Sequence, residues 1–141
     1  LREHTKLPIV LKGILHPDDA QKALDYGMDG IIVSNHGGRQ VDGAVGSFTM
    51  LSDIIKVVND KIPVLLDSGV RSGADMFKAV ALGATAVCIG RPYAYGLALA
   101  GVEGVKEVLS NLMADFELNM ALSGCTSIKE ITPDTLRKVR H

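Results

Sequence analysis

Cysteine is scarce in this 141-residue sequence, which holds only Cys88 and Cys125. Two cysteines supply neither a disulfide framework nor a zinc site. Cys88 lies inside the apolar run Ala86-Val87-Cys88-Ile89 and reads as a small core residue. The pattern fits a reducing compartment, and the cytoplasm is the expected location. Net charge is nearly absent as well, −1 at pH 7, so the chain offers no electrostatic footing for nucleic acid or an anionic membrane surface. No apolar run approaches the roughly 20 residues that a bilayer-spanning helix needs. The first residues lack a signal-peptide pattern. The chain opens on Leu1 rather than Met, as a fragment or a processed chain does.

What is present is the composition of an α/β protein: 47% hydrophobic residues, 22% charged, and 15 glycines. The length fits a single domain over residues 1–141. Four short apolar runs stand out: Ile9-Val10-Leu11, Ile31-Ile32-Val33, Val64-Leu65-Leu66 and Ala86-Val87-Cys88-Ile89. They do not alternate and are rich in β-branched residues, the signature of parallel strands buried on both faces. Between them lie helical segments. Asp18–Tyr26 follows Pro17, carries acidic residues in its first turn and ends at Gly27. Phe48–Val58 bears an apolar stripe, and Ser72–Leu82 opens on an N-cap candidate and stops at Gly83. The segment from Pro8 to Gly27 is echoed by the segment from Pro63 to Gly83. Repeated strand–loop–helix units of this kind specify a parallel βα architecture, an open sheet or a (β/α)₈ barrel.

Beyond Gly90 the pattern changes to a short helix over Pro92–Ala100 and a long amphipathic one over Val102–Leu122, ended near Gly124. The tail from Thr126, with a turn at Thr132-Pro133-Asp134 and a basic end reaching Arg140, is expected on the outside. The methionines, Met28, Met50, Met76, Met113 and Met120, fall at apolar positions and read as core. His4, His16 and His141 sit in termini or polar loops and carry no functional reading.

In parallel βα folds ligands gather at the carboxyl ends of the strands. Here those ends read Lys12-Gly13, then Ser34-Asn35-His36-Gly37-Gly38-Arg39-Gln40, then Asp67-Ser68-Gly69-Val70-Arg71-Ser72-Gly73, then Gly90-Arg91-Pro92. Gly69, Gly73 and Gly90 let backbone approach a ligand, the amides opening the next helices are donors for an anion, and Arg71 and Arg91 add forked charge. A phosphate pocket follows; the plainer alternative is tight turns with solvated arginines. His36 and Arg39, three residues apart in a glycine-flanked loop, suit one small anionic substrate: Arg39 clamps a carboxylate and His36 takes a proton. The plainer alternative there is a surface loop with an exposed histidine.

These strand-end motifs together resemble the FMN-dependent 2-hydroxy acid oxidases and dehydrogenases, from about Leu7 to the end of the chain. The resemblance implies the carboxyl-terminal half, strands five to eight, of a (β/α)₈ barrel, with the amino-terminal half absent. It implies FMN as cofactor and oxidation of a small L-2-hydroxy acid of the lactate or glycolate type to the 2-oxo acid. Lys12 is then expected at the flavin pyrimidine edge and Ser34 hydrogen-bonded to the flavin. His36 becomes the base, Asp67 its partner, and Arg39 the carboxylate anchor. Asp67, Ser68, Gly69, Val70 and Arg71, with Gly90 and Arg91, would hold the ribityl phosphate. A homo-oligomer is expected, with no metal, nucleic acid or membrane segment. Other phosphate-binding barrels share the glycine-rich ends but not His-Gly-Gly-Arg at the sixth strand. A different class of function is a truncated, non-catalytic half-barrel that binds phosphate ligands or self-assembles.

Overall fold

In the computed structural model, which describes residues 1–139, the four apolar runs form one parallel sheet. The strands are β1 (Val10–Ile14), β2 (Gly30–Val33), β3 (Val64–Leu66) and β4 (Ala86–Val87), and they neighbour one another in chain order. Leu11 lies opposite Ile31, Ile31 opposite Val64, and Leu65 opposite Ala86. The β1 register slips between Lys12 and Ile14, at Gly13, whose φ of 101° only glycine adopts freely. Strand β4 is shorter than its apolar run, but the Cys88 amide still donates to the Leu66 carbonyl at 2.8 Å.

Three α-helices connect the strands: α1 (Pro17–Asp25), α2 (Ser47–Val58) and α3 (Gly73–Ala81). A fourth, α4 (Arg91–Leu122), follows β4 and is broken at Ala100–Gly101, where Gly101 turns to φ 58°. The two expected helices are thus its two arms. Helix α1 is capped by His16, whose Nδ1 accepts from the Asp18 amide at 3.2 Å, so this loop histidine has a local structural job.

The chain divides into two compact units. The first, residues 1–69 and 83–88, contains the sheet, α1 and α2. Its helices pack on each other and on the strands, α1 against β1 and α2 against β2 and β3. Ile31, Val33, Leu51, Ile54, Val64 and Leu66 make its core, each 1% exposed or less. Burial on both faces, expected of every strand, is not seen in β1 and β4. Val10 is 46% exposed, and Ala86 is exposed as well.

The second unit, residues 70–82 and from 89 onward, is built on α3 and α4. Phe77, Ala81, Phe116, Cys125 and Ile131 form its core, with Met76, Val80, Met120 and Leu136 packed against them. The tail was expected outside; instead Cys125 and Ile131 are buried in this cluster, because α3 and the second arm of α4 leave an apolar stripe that the tail covers. Met113 departs from the core expectation in the other direction and is 49% exposed on α4. The basic end at Arg140 and the terminal His141 lie outside the described residues. Among the described residues, no helix is long and apolar enough to cross a membrane.

Candidate active site

Within the first unit, the carboxyl ends of β1, β2 and β3 bring Lys12, Ser34, His36, Asp67 and Ser68 into one hydrogen-bonded group. The Lys12 ammonium donates to Ser34 Oγ at 2.8 Å and pairs with the Asp67 carboxylate. Ser34, buried directly after β2, also accepts from the His36 amide at 3.1 Å. Ser68 Oγ donates to Asp67 Oδ1 at 2.7 Å and accepts from the Gly37 amide at 2.9 Å.

The segment between β2 and α2 is shaped by three consecutive left-handed residues, His36, Gly37 and Gly38. Two glycines adopt that backbone freely; His36, at φ 56°, does not. Asn35 holds the turn together: Oδ1 accepts from the Gly38 amide at 3.1 Å, and Nδ2 donates to the Val45 carbonyl at 3.2 Å. The Asn35 amide donates to Ser47 Oγ at 3.0 Å. Ser47 is buried and was not singled out in the sequence; a serine opening a helix just after a loop is the one available signal. Arg39 closes the turn and is exposed, as is His36. A cavity of about 280 Å³ opens here, lined by Lys12, Gly13, Ser34, Asn35, His36 and Gln40 among others. A larger hollow, about 590 Å³, is bordered by Leu11, Ile14, Tyr26 and Met28 and has none of these strand-end groups.

The electrostatics follow from this packing. Partial burial pushes the Asp67 carboxyl upward, but hydrogen bonds from Lys12, Ser34 and Ser68 and the Lys12 charge outweigh it, holding Asp67 below the ordinary carboxylate value. The Cys88 thiol is pushed up, first by burial and then by the nearby Asp67 charge, against a smaller opposing effect of Lys12. Such a thiol stays protonated and is a poor nucleophile. The expected Asp67–His36 partnership is not the arrangement found: among the described residues, the Asp67 carboxylate is taken up by Lys12 and Ser68, whose donors face it across the strand ends.

Gly69 ends the first stretch of the first unit, and the second unit holds Val70, Arg71, Gly90 and Arg91. The amides opening α3 were expected to be available to an anion, yet those of Arg71, Ser72, Gly73 and Asp75 are taken by local side chains. Ser72 Oγ accepts from the Asp75 amide at 3.1 Å, and Asp75 accepts from the Arg71 and Ser72 amides at 2.9 and 3.1 Å. This capping box, together with an Asp115 carboxylate on the Gly73 amide, fills that end. The start of α4 differs: Gly90 provides no side-chain cap, and Arg91 follows it directly. Val70 is buried, 3% exposed. Arg71 is exposed.

Comparison with known proteins bears on the whole chain. The sequence profile of the family described as FMN-dependent dehydrogenase matches residues 1–138. A peroxisomal (S)-2-hydroxyacid oxidase of Arabidopsis thaliana is 57% identical over 137 residues, which cover 97% of this chain and 38% of that protein. An L-lactate oxidase of Lysinibacillus sphaericus is 54% identical over 138 residues, covering 98% of this chain and 36% of that protein. A crystal structure of mandelate oxidase superposes with a TM-score of 0.89 at 51% identity, over 92% of this chain and 38% of that one. The chain therefore spans a little over a third of the length of these relatives. A match that runs through every strand-end motif, at identities above half, decides the assignment: this chain belongs to the FMN-dependent dehydrogenase family.

Proposed function

We propose that the full protein containing this segment oxidises a small L-2-hydroxy acid, of the lactate or glycolate type, to the 2-oxo acid with FMN as cofactor. Residues 1–141 would be part of one flavin-binding domain and supply strands five to eight of a (β/α)₈ barrel. The observation that carries the reading is the His36–Arg39 turn, whose His36 and Gly37 amides are bonded to Ser34 and Ser68, the two hydroxyls that contact the Lys12–Asp67 ion pair.

The donor set of the chain fits FMN. Lys12 brings a positive charge to the mouth of the cavity, where it suits the anionic pyrimidine edge of a reduced flavin. Ser34, already bridging Lys12 and the His36 backbone, is the hydroxyl closest in the network to act on the same edge. For the phosphate, α4 offers a helix start without a side-chain cap, and Arg71 and Arg91 offer forked donors. When bound, FMN supplies the two-electron acceptor for the substrate carbon.

The residues of the chain then do the rest. Arg39 grips the substrate carboxylate bidentately and fixes the α-carbon. His36 takes the substrate proton on its imidazole. Asp67 acts one step back, by holding Lys12 and, through Ser68, the backbone of the turn that carries His36. Homo-oligomeric assembly and a cytoplasmic location complete the proposal; imaging of the tagged full-length protein in a peroxisome would overturn the latter.

The test is anaerobic reduction of the full-length holoenzyme by lactate and by glycolate, followed as bleaching of the flavin absorbance. Rapid bleaching by either acid is expected. A flavin that is bound but unresponsive to both would overturn the proposed substrate class, and a protein that retains no flavin would leave the non-catalytic alternative in its place.

A further inference from the structure

We propose that Ser68 is a positioning residue that ties the His36–Gly38 turn to the Lys12–Asp67 ion pair. The inference rests on the reading of His36 as the base and deepens it.

Three observations lead to it. Ser68 sits at φ 75°, a backbone conformation that glycine adopts without strain and serine does not. Its neighbour Gly69, at φ 90°, shows the kind of residue such a corner ordinarily takes. A non-glycine residue held in a strained backbone conformation next to a site points to work done by its side chain. Here the hydroxyl makes two bonds at once, donating to Asp67 Oδ1 at 2.7 Å and accepting from the Gly37 amide at 2.9 Å. A carboxylate only accepts, so Asp67 fixes the direction of the hydroxyl proton and turns the oxygen lone pair toward Gly37.

The second line of argument is the turn itself. Its three amides are each held by a side chain: His36 by Ser34, Gly37 by Ser68 and Gly38 by Asn35. Two of those three side chains, Ser34 and Ser68, also contact the ion pair, one at Lys12 and the other at Asp67. The turn is left-handed throughout and is held in place by these ties. Removing Ser68 takes away the bond on the Gly37 amide, at the centre of the turn, while Asn35 keeps the far end, next to Arg39, in place. The consequence falls on His36 rather than on the carboxylate anchor.

The experiment uses the full-length holoenzyme with S68G, S68A and, separately, H36Q. S68G removes the hydroxyl and relieves the backbone, so it folds even if S68A does not. Both are expected to retain FMN, to speed hydrogen exchange at the Gly37 amide about tenfold, the scale of one lost hydrogen bond, and to lower kcat about tenfold with KM changed less than about twofold. A purely structural role would leave this split unmoved. Unchanged exchange at Gly37 in S68G overturns the proposal, as does loss of FMN with unchanged exchange, which would make Ser68 a cofactor contact instead. Wild-type kcat in H36Q overturns the base assignment alone, and Gly37 exchange then still decides whether the tie exists.

Discussion

The Lys12 ammonium rests against the Asp67 carboxylate, pairing side chains 55 positions apart in the chain. Lys12 enters from the bulged end of β1 and Asp67 from the residue after β3, with Ser34, the residue after the intervening strand β2, bonded to the lysine. The lysine side chain is 43% exposed and the aspartate 18%, so the pair is neither sealed in the interior nor a loose surface contact. Partial desolvation strengthens the attraction without imposing the full cost of burying two ions. The result is a positive group held at the mouth of a cavity.

The Asp67 carboxyl titrates below its ordinary value of 3.8, despite the upward push of burial, because Lys12, Ser34 and Ser68 favour the charged form. A folded value below the unfolded one contributes stability that is present above about 3.8 and is lost as pH falls through the lower folded value. D67N is therefore expected to lower the melting temperature at neutral pH and to make little difference in acid. Melting curves of wild type and D67N across pH 2–7 check this. Parallel curves would mean that the pair contributes nothing to folding.

His36 and Arg39 sit on one turn but are assigned different tasks, and their variants should separate them. H36Q keeps a similar size and removes the base, with an expected fall in kcat of about 10²–10⁴-fold. R39K keeps the charge and loses the fork, with an expected rise in KM of about 10-fold or more. Steady-state kinetics on the full-length enzyme resolve the two. An R39K effect confined to kcat would remove Arg39 from the anchor role.

The tail contributes to the second unit's core, which makes Ile131 a test of it. Its side chain is 6% exposed and packs in the cluster with Phe77 and Phe116. I131A is expected to cost about 2–5 kcal/mol, as deletion of a buried aliphatic side chain does. Chemical denaturation measures it, and a loss under about 1 kcal/mol, the scale of an exposed substitution, would return the tail to the outside.

The burial of that tail is not legible in the sequence. Strands and helices were legible because their signals are local: β-branched runs such as Ile31-Ile32-Val33, a proline at the start of α1, and Gly101 breaking α4 in two. The tail has no periodicity, and its burial depends on what α3 and α4 leave uncovered. The same distinction holds in the site. Lys12, Ser34, His36 and Asp67 were legible as strand-end polar residues, but their pairing was not. Asp67 faces Lys12 rather than His36 because strand register and the β1 bulge set which side chains meet. Ser72 is legible in the sequence as an N-cap, but its closure of the anion pocket is not, because that depends on where the Asp75 carboxylate folds back. With Asp75 it closes the start of α3 that the pocket was to use.

Two glycines at the ends of helices offer opposite tests of what glycine is for. A Cβ on Gly73 would fall 2.1 Å from the Phe116 amide nitrogen and 2.3 Å from the Asp115 carbonyl carbon. Those atoms are backbone of α4 and cannot rotate aside, so G73A has to separate α3 from α4 and break the Gly73–Asp115 hydrogen bond. The expected cost is about 3 kcal/mol or more, at the upper end for overpacking. A Cβ on Gly90 would meet nothing within 4 Å, and the backbone there has φ −128°. With ψ at −82°, outside the ordinary helical and extended regions, G90A should cost up to about 2 kcal/mol, the upper scale of a cap substitution. If the open start of α4 receives the FMN phosphate, the same methyl group stands where the phosphate approaches, and FMN affinity in the full-length protein should fall at least about tenfold. Denaturation curves and flavin titration of the two variants separate these roles. Stability lost in G73A, with affinity lost in a folded G90A, is the expected pattern. A G90A protein that binds FMN as wild type does would move the phosphate away from α4.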